Sequence, residues 1–284
     1  MSNEIVIGII GSSIQYSLSP TIHEYWMNEN KIKGKYKIYD LKEEELKNFI
    51  KNIHNKNIKG LNVTIPYKKK IIDFIDEISL EAKIIGAVNT LIIKKNGKIY
   101  GDNTDAKGFI NNLESIRPDW KERKDPIVIL GAGGAARAII YSILKKNKSN
   151  IRIINRNKDR AKKLIYDMKK IFPDTNFEYY NHYGKALKKA SFLINASSLG
   201  MIGHPKLNIN LEVMNKSSII YDIVYSPLET NLLKQAKKLN FLTIDGLGML
   251  LEQAAPVFNA WFNKKVCVNE ELRKKVIKKI KDSE

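Results

Sequence analysis

Runs of apolar residues alternate with amphipathic stretches along the whole chain, the pattern of strands and helices taken in turn. In the first part the runs predict strands over Ile5–Ile10, Tyr36–Tyr39 and Leu61–Ile65. Two more, Ala87–Ile93 and Lys98–Gly101, flank KKNG, a hairpin signal. Helical spacing falls between them, around Thr21–Asn30 and Glu43–Lys56. A second series opens at DPIVIL and predicts strands over Ile127–Leu130, Ile151–Ile154, Phe192–Ala196, Ile219–Val224 and Phe241–Ile244, with basic helices between. This alternation predicts an α/β fold. From Met249 onward the spacing is helical and brings no strand of its own to cover, so these helices are expected to pack back on the first domain. The polar stretch from Arg117 to Pro126 reads as the boundary. The expected organisation is therefore a first domain over residues 1–116, completed by helices from about residue 247 to 284, and a second over residues 117–246.

Composition narrows the class. A chain of 284 residues with 43% hydrophobic and 9% aromatic content is long enough to bury the cores of two domains. A lone cysteine, Cys267, makes no internal disulfide and fits a reducing cytoplasm. The opening MSNEIVIGIIGSS lacks a basic region and reads as a first strand rather than a signal peptide. No apolar run reaches the roughly 18 residues a bilayer span needs, so a soluble cytoplasmic protein without membrane contact is expected. The net charge of +19 raises the question of nucleic acid. The basic runs LKKNK, RAKKL, KALKKA, KQAKKL and LRKKVIKKIKD lie far apart, however, and aromatic stacking residues are not interleaved with them. Dispersed surface charge, with an acidic small-molecule ligand helped by the positive field, is the expectation.

The segment IVILGAGGAARAIIYSIL sets a glycine-rich turn between a strand and a long helix. Gly131 permits the tight turn, Gly133 lets the backbone approach a pyrophosphate, and Ala136 allows close helix packing. Ala132, Gly134 and Ala135 complete a loop whose N–H groups face an anion at the helix start. Such a turn occurs without a ligand too, but the strand and helix context is what a dinucleotide site requires. An NAD site expects an acidic residue at the end of the next strand. This chain has NRNKDR there, with Asp159 a turn further on and expected to face solvent. Arg156 and Arg160 suit a 2′-phosphate, and Asn155 a ribose, so NADP is the expected cofactor. No metal is called for.

NVTIPYKKK places a lysine where chemistry is plausible on position alone. Pro66 ends the strand, and Ile71, Ile72, Phe74 and Ile75 continue at helical spacing. Lys68 is then expected in a first helical turn, where the macrodipole and burial both push its pKa down towards proton transfer near neutral pH. Lys69 and Lys70 read as surface. In YGDNTDAKGF, Asp105 precedes an apolar helical pattern and reads either as an N-cap or as a carboxylate near Lys68. Ser19 before Pro20 looks like an N-cap, whereas Ser17 has no capping role in that reading.

In order and spacing, YSLSP, NVTIPYK, GAVNT, GDNTD, GAGGAA, NR and DGLGMLLEQAA resemble the shikimate dehydrogenases, and the resemblance runs over nearly the whole chain. It implies an N-terminal α/β substrate domain followed by a Rossmann NADP domain. It implies the reversible, NADP-dependent reduction of 3-dehydroshikimate to shikimate, a step of aromatic amino-acid biosynthesis. Residue by residue, it makes Lys68 the acid/base and Asp105 its partner at the substrate hydroxyls. Ser17 and Ser19 match the pair that holds the substrate carboxylate, and Thr64, Asn89 and Gln253 match polar groups around the ring. Tyr225 matches a tyrosine near the substrate, and Ile223 and Gly246 match positions beside the nicotinamide. Gln253 has independent support, since it shares a helical stripe with Met249 and Pro256, an odd place for an amide without a partner. Two domains with a cleft between them imply closure on binding.

The chain departs from the family pattern at Gln15 and Tyr16, where a Lys–His pair is usual, at Asn157 in place of a threonine, and at Ala106 in place of a glycine. No catalytic group is lost. Two other functions remain: a quinate/shikimate dehydrogenase with relaxed cofactor use, and a non-catalytic Rossmann protein that binds a ligand or nucleic acid. A monomer or a homodimer is expected, with no specific nucleic-acid partner.

Overall fold

The computed structural model describes residues 4–122, 125–146 and 150–282. Residues 123 and 124 of the expected boundary, and residues 147 and 148 of the LKKNK run, lie outside them. The chain forms two compact units, residues 1–104 with 251–284 and residues 105–250.

The first unit carries a six-stranded sheet of β1 (Ile5–Gly11), β2 (Gly34–Asp40), β3 (Ile58–Val63), β4 (Glu77–Ile78), β5 (Thr90–Ile93) and β6 (Ile99–Asp102), in the order β2-β1-β3-β5-β6-β4. β1 runs parallel to both β2 and β3, while β5 is antiparallel to β3 and β6. The expected hairpin is present, closed by Gly97 N–H donating to the Lys94 carbonyl at 2.9 Å. Helices α1 (Ser19–Glu29), α2 (Glu43–Lys51) and α3 (Leu80–Ile85) join the strands. One core packs Val6, Ile10, Leu61 and Val63 of the sheet against Leu46, Ile50 and Ile71.

Two local expectations give way here, and one strand was not expected. The helix expected over Glu43–Lys56 stops at Lys51, where the Asn52 side chain donates to the Asn48 carbonyl at 2.9 Å, and resumes only as a 3₁₀ turn over Ile53–Lys56. β3 starts and ends earlier than Leu61–Ile65, because Ile58 pairs with Val6 while the chain turns away from residue 65 on. The two-residue β4 is too short to leave a periodic signal.

The second unit carries six parallel strands: β7 (Ile127–Leu130), β8 (Ile151–Ile154), β9 (Phe177–Tyr180), β10 (Phe192–Asn195), β11 (Ile219–Asp222) and β12 (Leu242–Ile244). Their order is β12-β11-β10-β7-β8-β9, the doubly wound arrangement. Successive residues feed opposite faces. Ile127, Ile129, Ile151, Ile153, Phe192 and Ile194 enter one core, while Val128, Leu130, Ile154, Leu193 and Ile220 enter the other. That double burial is why the central strand β7 and most of β10 read as unbroken apolar runs. The linking helices are α4 (Asp105–Ile116), α5 (Gly134–Lys146), α6 (Lys158–Lys169), α7 (Tyr183–Leu187) and α8 (Asn231–Lys238).

The second unit begins at Asp105 rather than near residue 117, because α4 belongs to its core. Phe109 stacks on Tyr221 with ring centroids 4.9 Å apart, and Asn112 Nδ2 donates to the Tyr221 hydroxyl at 2.7 Å. Two last helices follow, α9 (Gly246–Phe262) and α10 (Glu270–Lys281). The later part of α9 and α10 group with the first unit. Trp261 lies against Gly60 and donates its indole N–H to the Leu91 carbonyl at 3.0 Å, and Trp26 likewise reaches the Cys267 carbonyl at 3.2 Å. His23, stacked on Tyr36 at 5.2 Å in the same aromatic cluster, is held neutral by burial, which lowers its pKa to about 3. Trp261→Ala is expected to cost about 3–5 kcal/mol, the range for emptying a buried aromatic site. Urea unfolding checks this, and a loss within experimental error would mean α9 is not anchored there.

No helix among the described residues is long and apolar enough to cross a membrane.

Candidate functional site

In the first unit the candidate residues gather where parallel β1 and β3 end. Thr64 N–H donates to the Ile10 carbonyl at 3.0 Å and Ser12 N–H to the Ile65 carbonyl at 3.1 Å, so the loops leaving the two strands lie side by side. The second loop is a turn over residues 65–69, with Tyr67 N–H bonded back to the Thr64 carbonyl at 2.9 Å. Tyr67 is buried and its hydroxyl donates to the Leu41 carbonyl at 2.5 Å. The Lys68 carbonyl accepts from Val88 N–H at 2.7 Å. Lys68 is thus pinned by its neighbour's ring and by its own carbonyl, and its side chain is half-buried, whereas Lys69 and Lys70 are exposed. Lys70 pairs with Glu43.

The position expected for Lys68 is corrected. It stands in the turn, not at the start of an α-helix, and the next element is a five-residue 3₁₀ segment, Lys70–Phe74. The apolar spacing that suggested an α-helix serves this shorter element, so the macrodipole argument does not apply.

Asn89 connects this turn to α9. Its backbone carbonyl accepts from Val63 N–H at 2.7 Å. Its side-chain amide donates to Thr104 Oγ1 at 3.0 Å and to Gln253 Oε1 at 3.3 Å, and its Oδ1 accepts from Thr104 N–H at 2.9 Å. Thr104 Oγ1 also donates to Gln253 Oε1 at 3.2 Å. Gln253, suspicious in the sequence as an amide on a core stripe, therefore has its partners. Thr104 was not among the expected residues; its only signal was its place directly before Asp105.

The serine pair exchanges expected roles. α1 begins at Ser19 itself, after Leu18 at the N-cap, and Ser19 makes no side-chain cap. Its N–H donates instead to Ser17 Oγ at 3.3 Å, so Ser17 supplies the local acceptor and the buried Ser19 hydroxyl is released from capping. Gln15 donates to Asp40, which also accepts from Ser13 N–H at 2.7 Å, while Tyr16 is 84% exposed.

In the second unit, the strand order reverses between β7 and β10, the crevice at which open α/β sheets take ligands. The glycine turn stands there. Gly131 has φ +119°, and a Cβ on it would come 2.7 Å from the Ala196 carbonyl oxygen, so only glycine fits. Gly133 is exposed with open space where a side chain would stand, and α5 begins at Gly134. A bare backbone under a helix N-terminus is what a pyrophosphate needs. At the end of β8, Asn157 caps α6 by accepting from Arg160 N–H at 2.9 Å, and Asn155 Nδ2 donates to the Asn157 carbonyl at 2.7 Å. Arg156 and Arg160 are exposed beside it, as is Asp159. The residues present therefore fit a dinucleotide with an anionic group on its adenosine ribose. The departure at Asn157 has a structural use, because asparagine caps as well as threonine does.

Ile223 and Tyr225 follow β11 and are half-buried. Gly246 N–H donates to the Val224 carbonyl at 3.3 Å, and a Cβ on Gly246 would strike the Ile223 carbonyl, which explains a glycine there. Asp105 is buried as the first residue of α4. The loop after β10, beginning Ala196-Ser197-Ser198, was missed by sequence reasoning. Its signal was faint, a strand ending in small polar residues, and its place beside the glycine turn shows only in the fold, where the Ala196 carbonyl stands against Gly131.

Two family models match the chain, the shikimate dehydrogenase substrate binding domain over residues 9–91 and shikimate / quinate 5-dehydrogenase over residues 113–248. A shikimate dehydrogenase (NADP(+)) of Cereibacter sphaeroides is 40% identical over 95% of this chain and 96% of its own. A shikimate dehydrogenase solved in complex with NADP+ is similar with a TM-score of 0.87 at 34% identity, covering 100% of this chain and 96% of the other. A quinate dehydrogenase of Corynebacterium glutamicum solved with NAD is similar at 27% identity, with a TM-score of 0.88, over 97% and 99% of the two chains.

Proposed function

The chain belongs to the shikimate dehydrogenase family, and from that premise we infer how its residues carry out the NADP-dependent, reversible reduction of 3-dehydroshikimate to shikimate. The hydride chemistry at the substrate's C3 carbon would come from NADPH when it is bound. The protein's part is to hold the substrate and move the proton. Ser17 and Ser19 take the carboxylate by hydroxyl donation. Thr64, Asn89 and Gln253 orient the ring hydroxyls, and the hydrogen bonds among Asn89, Thr104 and Gln253 fix two of these amides before substrate arrives. Lys68 donates a proton to the C3 oxygen during reduction and withdraws it during oxidation, while Asp105 accepts from a substrate hydroxyl. Tyr225 completes the substrate contacts. Gly131, Ala132, Gly133, Gly134 and Ala135 take the pyrophosphate, Asn155, Arg156, Asn157 and Arg160 the adenosine phosphate side, and Ile223 and Gly246 the nicotinamide side.

The observation that carries this reading is the pinned Thr64–Lys68 turn beside a preformed Asn89–Thr104–Gln253 network. The site acts on a small molecule in the cytoplasm, as a monomer or homodimer, without a nucleic-acid partner. Initial rates with shikimate or quinate, each against NADP⁺ or NAD⁺, test it. Shikimate with NADP⁺ is expected to be the fastest pair; quinate with NAD⁺ leading instead would move the chain to the quinate branch of the family.

A further inference from the structure

We propose that Asp222 is a positioning residue for the nicotinamide half of the cofactor site: its buried carboxylate ties together the two loops that leave β10 and β11. This role rests on the dinucleotide site proposed for the second unit and adds to it a residue that contacts neither substrate nor cofactor.

Asp222 is the last residue of β11, and Asn195, its parallel partner, is the last of β10. Asp222, Asn195 and Thr230 are each 0% exposed. Asp222 Oδ2 accepts from Thr230 Oγ1 at 2.7 Å; Oδ1 accepts from Val224 N–H at 3.1 Å and from Asn195 Nδ2 at 2.9 Å. Asn195 spends its remaining groups on the other loop. Its Oδ1 accepts from Ser197 N–H at 3.1 Å and Ser197 Oγ at 2.6 Å, and its Nδ2 also donates to the Leu199 carbonyl at 2.9 Å. Thr230 in turn caps α8, accepting from Leu233 N–H at 3.3 Å while it donates to Asp222. One carboxylate thereby fixes residues 195–199 on one side and 223–230 on the other.

The carboxylate answers to three donors that the two loops bring to it, Val224 N–H, Thr230 Oγ1 and Asn195 Nδ2, and not to the sheet core. A buried carboxylate is costly to desolvate, and burial raises its pKa to about 6 against the pull of its hydrogen bonds. A sheet end that only needed filling would take an apolar residue more cheaply. What the charge achieves is rigidity at two backbone segments that also close on the glycine turn and on α9. The Ala196 carbonyl stands against Gly131, and the Val224 carbonyl accepts from Gly246 N–H. In a doubly wound sheet each half takes one mononucleotide. Arg156 follows β8, on the β7–β9 half, so the half built from β10, β11 and β12 takes the nicotinamide. Asp222 therefore sets where Ile223 and Tyr225 stand, and leaves the adenosine end alone.

Asparagine at position 222 keeps the shape but offers one oxygen where three donors converge, so in either orientation a buried donor is left without an acceptor. The test measures dissociation constants by fluorescence titration for NADP⁺ and for adenosine 2′,5′-bisphosphate, which lacks the nicotinamide, together with kcat on folded protein. Asp222→Asn is expected to weaken NADP⁺ by about tenfold, the order of one charge-assisted hydrogen bond, to leave the bisphosphate unchanged, and to lower kcat. Thr230→Val, which removes one partner of the carboxylate, should shift NADP⁺ in the same direction, and Thr230→Ser should restore it. That pair carries the test should Asp222→Asn fail to fold. Equal weakening of both ligands, or a fall in melting temperature with both affinities and kcat intact, makes Asp222 a purely structural residue and overturns the proposal. A wild type that does not bind the bisphosphate overturns the cofactor reading instead, and the proposal with it.

Discussion

Lys68→Ala is expected to lower kcat by about 10²–10⁴-fold, the range for removing a general acid–base group, with a much smaller change in KM for shikimate. The asymmetry follows from the division of labour. Ser17, Ser19, Thr64, Asn89 and Gln253 are left to hold the ring, so ground-state binding survives the loss of the ammonium. What disappears is the group that withdraws the C3 hydroxyl proton, needed only as charge develops on that oxygen. A lysine that merely bound substrate would give the reverse, a raised KM with kcat intact. Lys69→Ala and Lys70→Ala are the controls, since both side chains are exposed and Lys70 is engaged by Glu43. Near-wild-type kcat in Lys68→Ala, or equal losses in the controls, would remove Lys68 from the mechanism. Lys68 owes nothing to a helix dipole. Its turn has a backbone held by the Thr64 carbonyl, the Val88 N–H and the buried Tyr67 ring, which fixes the root of a flexible side chain.

Much of the fold was legible because burial on both faces writes itself as uninterrupted apolar sequence. Ile127–Leu130 was readable to the residue for that reason, and Ile151–Ile154 was readable from its three isoleucines although Arg152 interrupts them. Phe177–Tyr180 was not. It lies at the sheet edge, and its Glu178 sits 3.6 Å from the guanidinium of Arg152, so a charged position interrupts the run. The segment after Tyr67 misled in the opposite sense. Ile71, Ile72 and Phe74 have helical spacing, but five residues between a turn and an extended Ile75 leave room only for a 3₁₀ element. Ser17 and Ser19 show a subtler limit. Both fit a helix start, and which one supplies the acceptor depends on whether the first helical residue is 19 or 20.

The site divides along the same line. Residues in contiguous motifs could be nominated from sequence because their chemistry is local. The glycine turn was readable with its geometry as well, the Thr64–Lys68 segment without it, since a helix start is expected there and a turn is found. Thr104 and Asp222 were not, because each acquires its role from partners far along the chain: Thr104 from Gln253, and Asp222 from Asn195 and Thr230. Hydrogen-bond networks closed across strands leave no periodicity, and each member alone looks like an ordinary polar residue at a strand end.

Arg156→Ala is expected to raise KM for NADP⁺ by about ten- to a hundredfold, since a charge-assisted hydrogen bond to an anion contributes about 1.5–3 kcal/mol, while KM for NAD⁺ changes by far less. The segment that carries Arg156 is fixed independently of it. Asn157 caps α6 and Asn155 bonds the Asn157 carbonyl, so truncating the exposed arginine removes a guanidinium without loosening its surroundings. The 2′-phosphate is the only group that distinguishes the two cofactors, and its dianion meets Arg156 and Arg160 where an NAD-specific site would set a carboxylate against it. Arg156→Lys keeps the charge but loses the planar fork that suits a phosphate, so its KM should fall between wild type and alanine. Higher salt should narrow the gap between NADP⁺ and NAD⁺ in the wild type and less so in Arg156→Ala, because an exposed ion pair is screened over about 10 Å at 0.1 M salt. Equal losses with both cofactors would instead place Arg156 on a part they share, and cofactor choice would have to be sought elsewhere along β8.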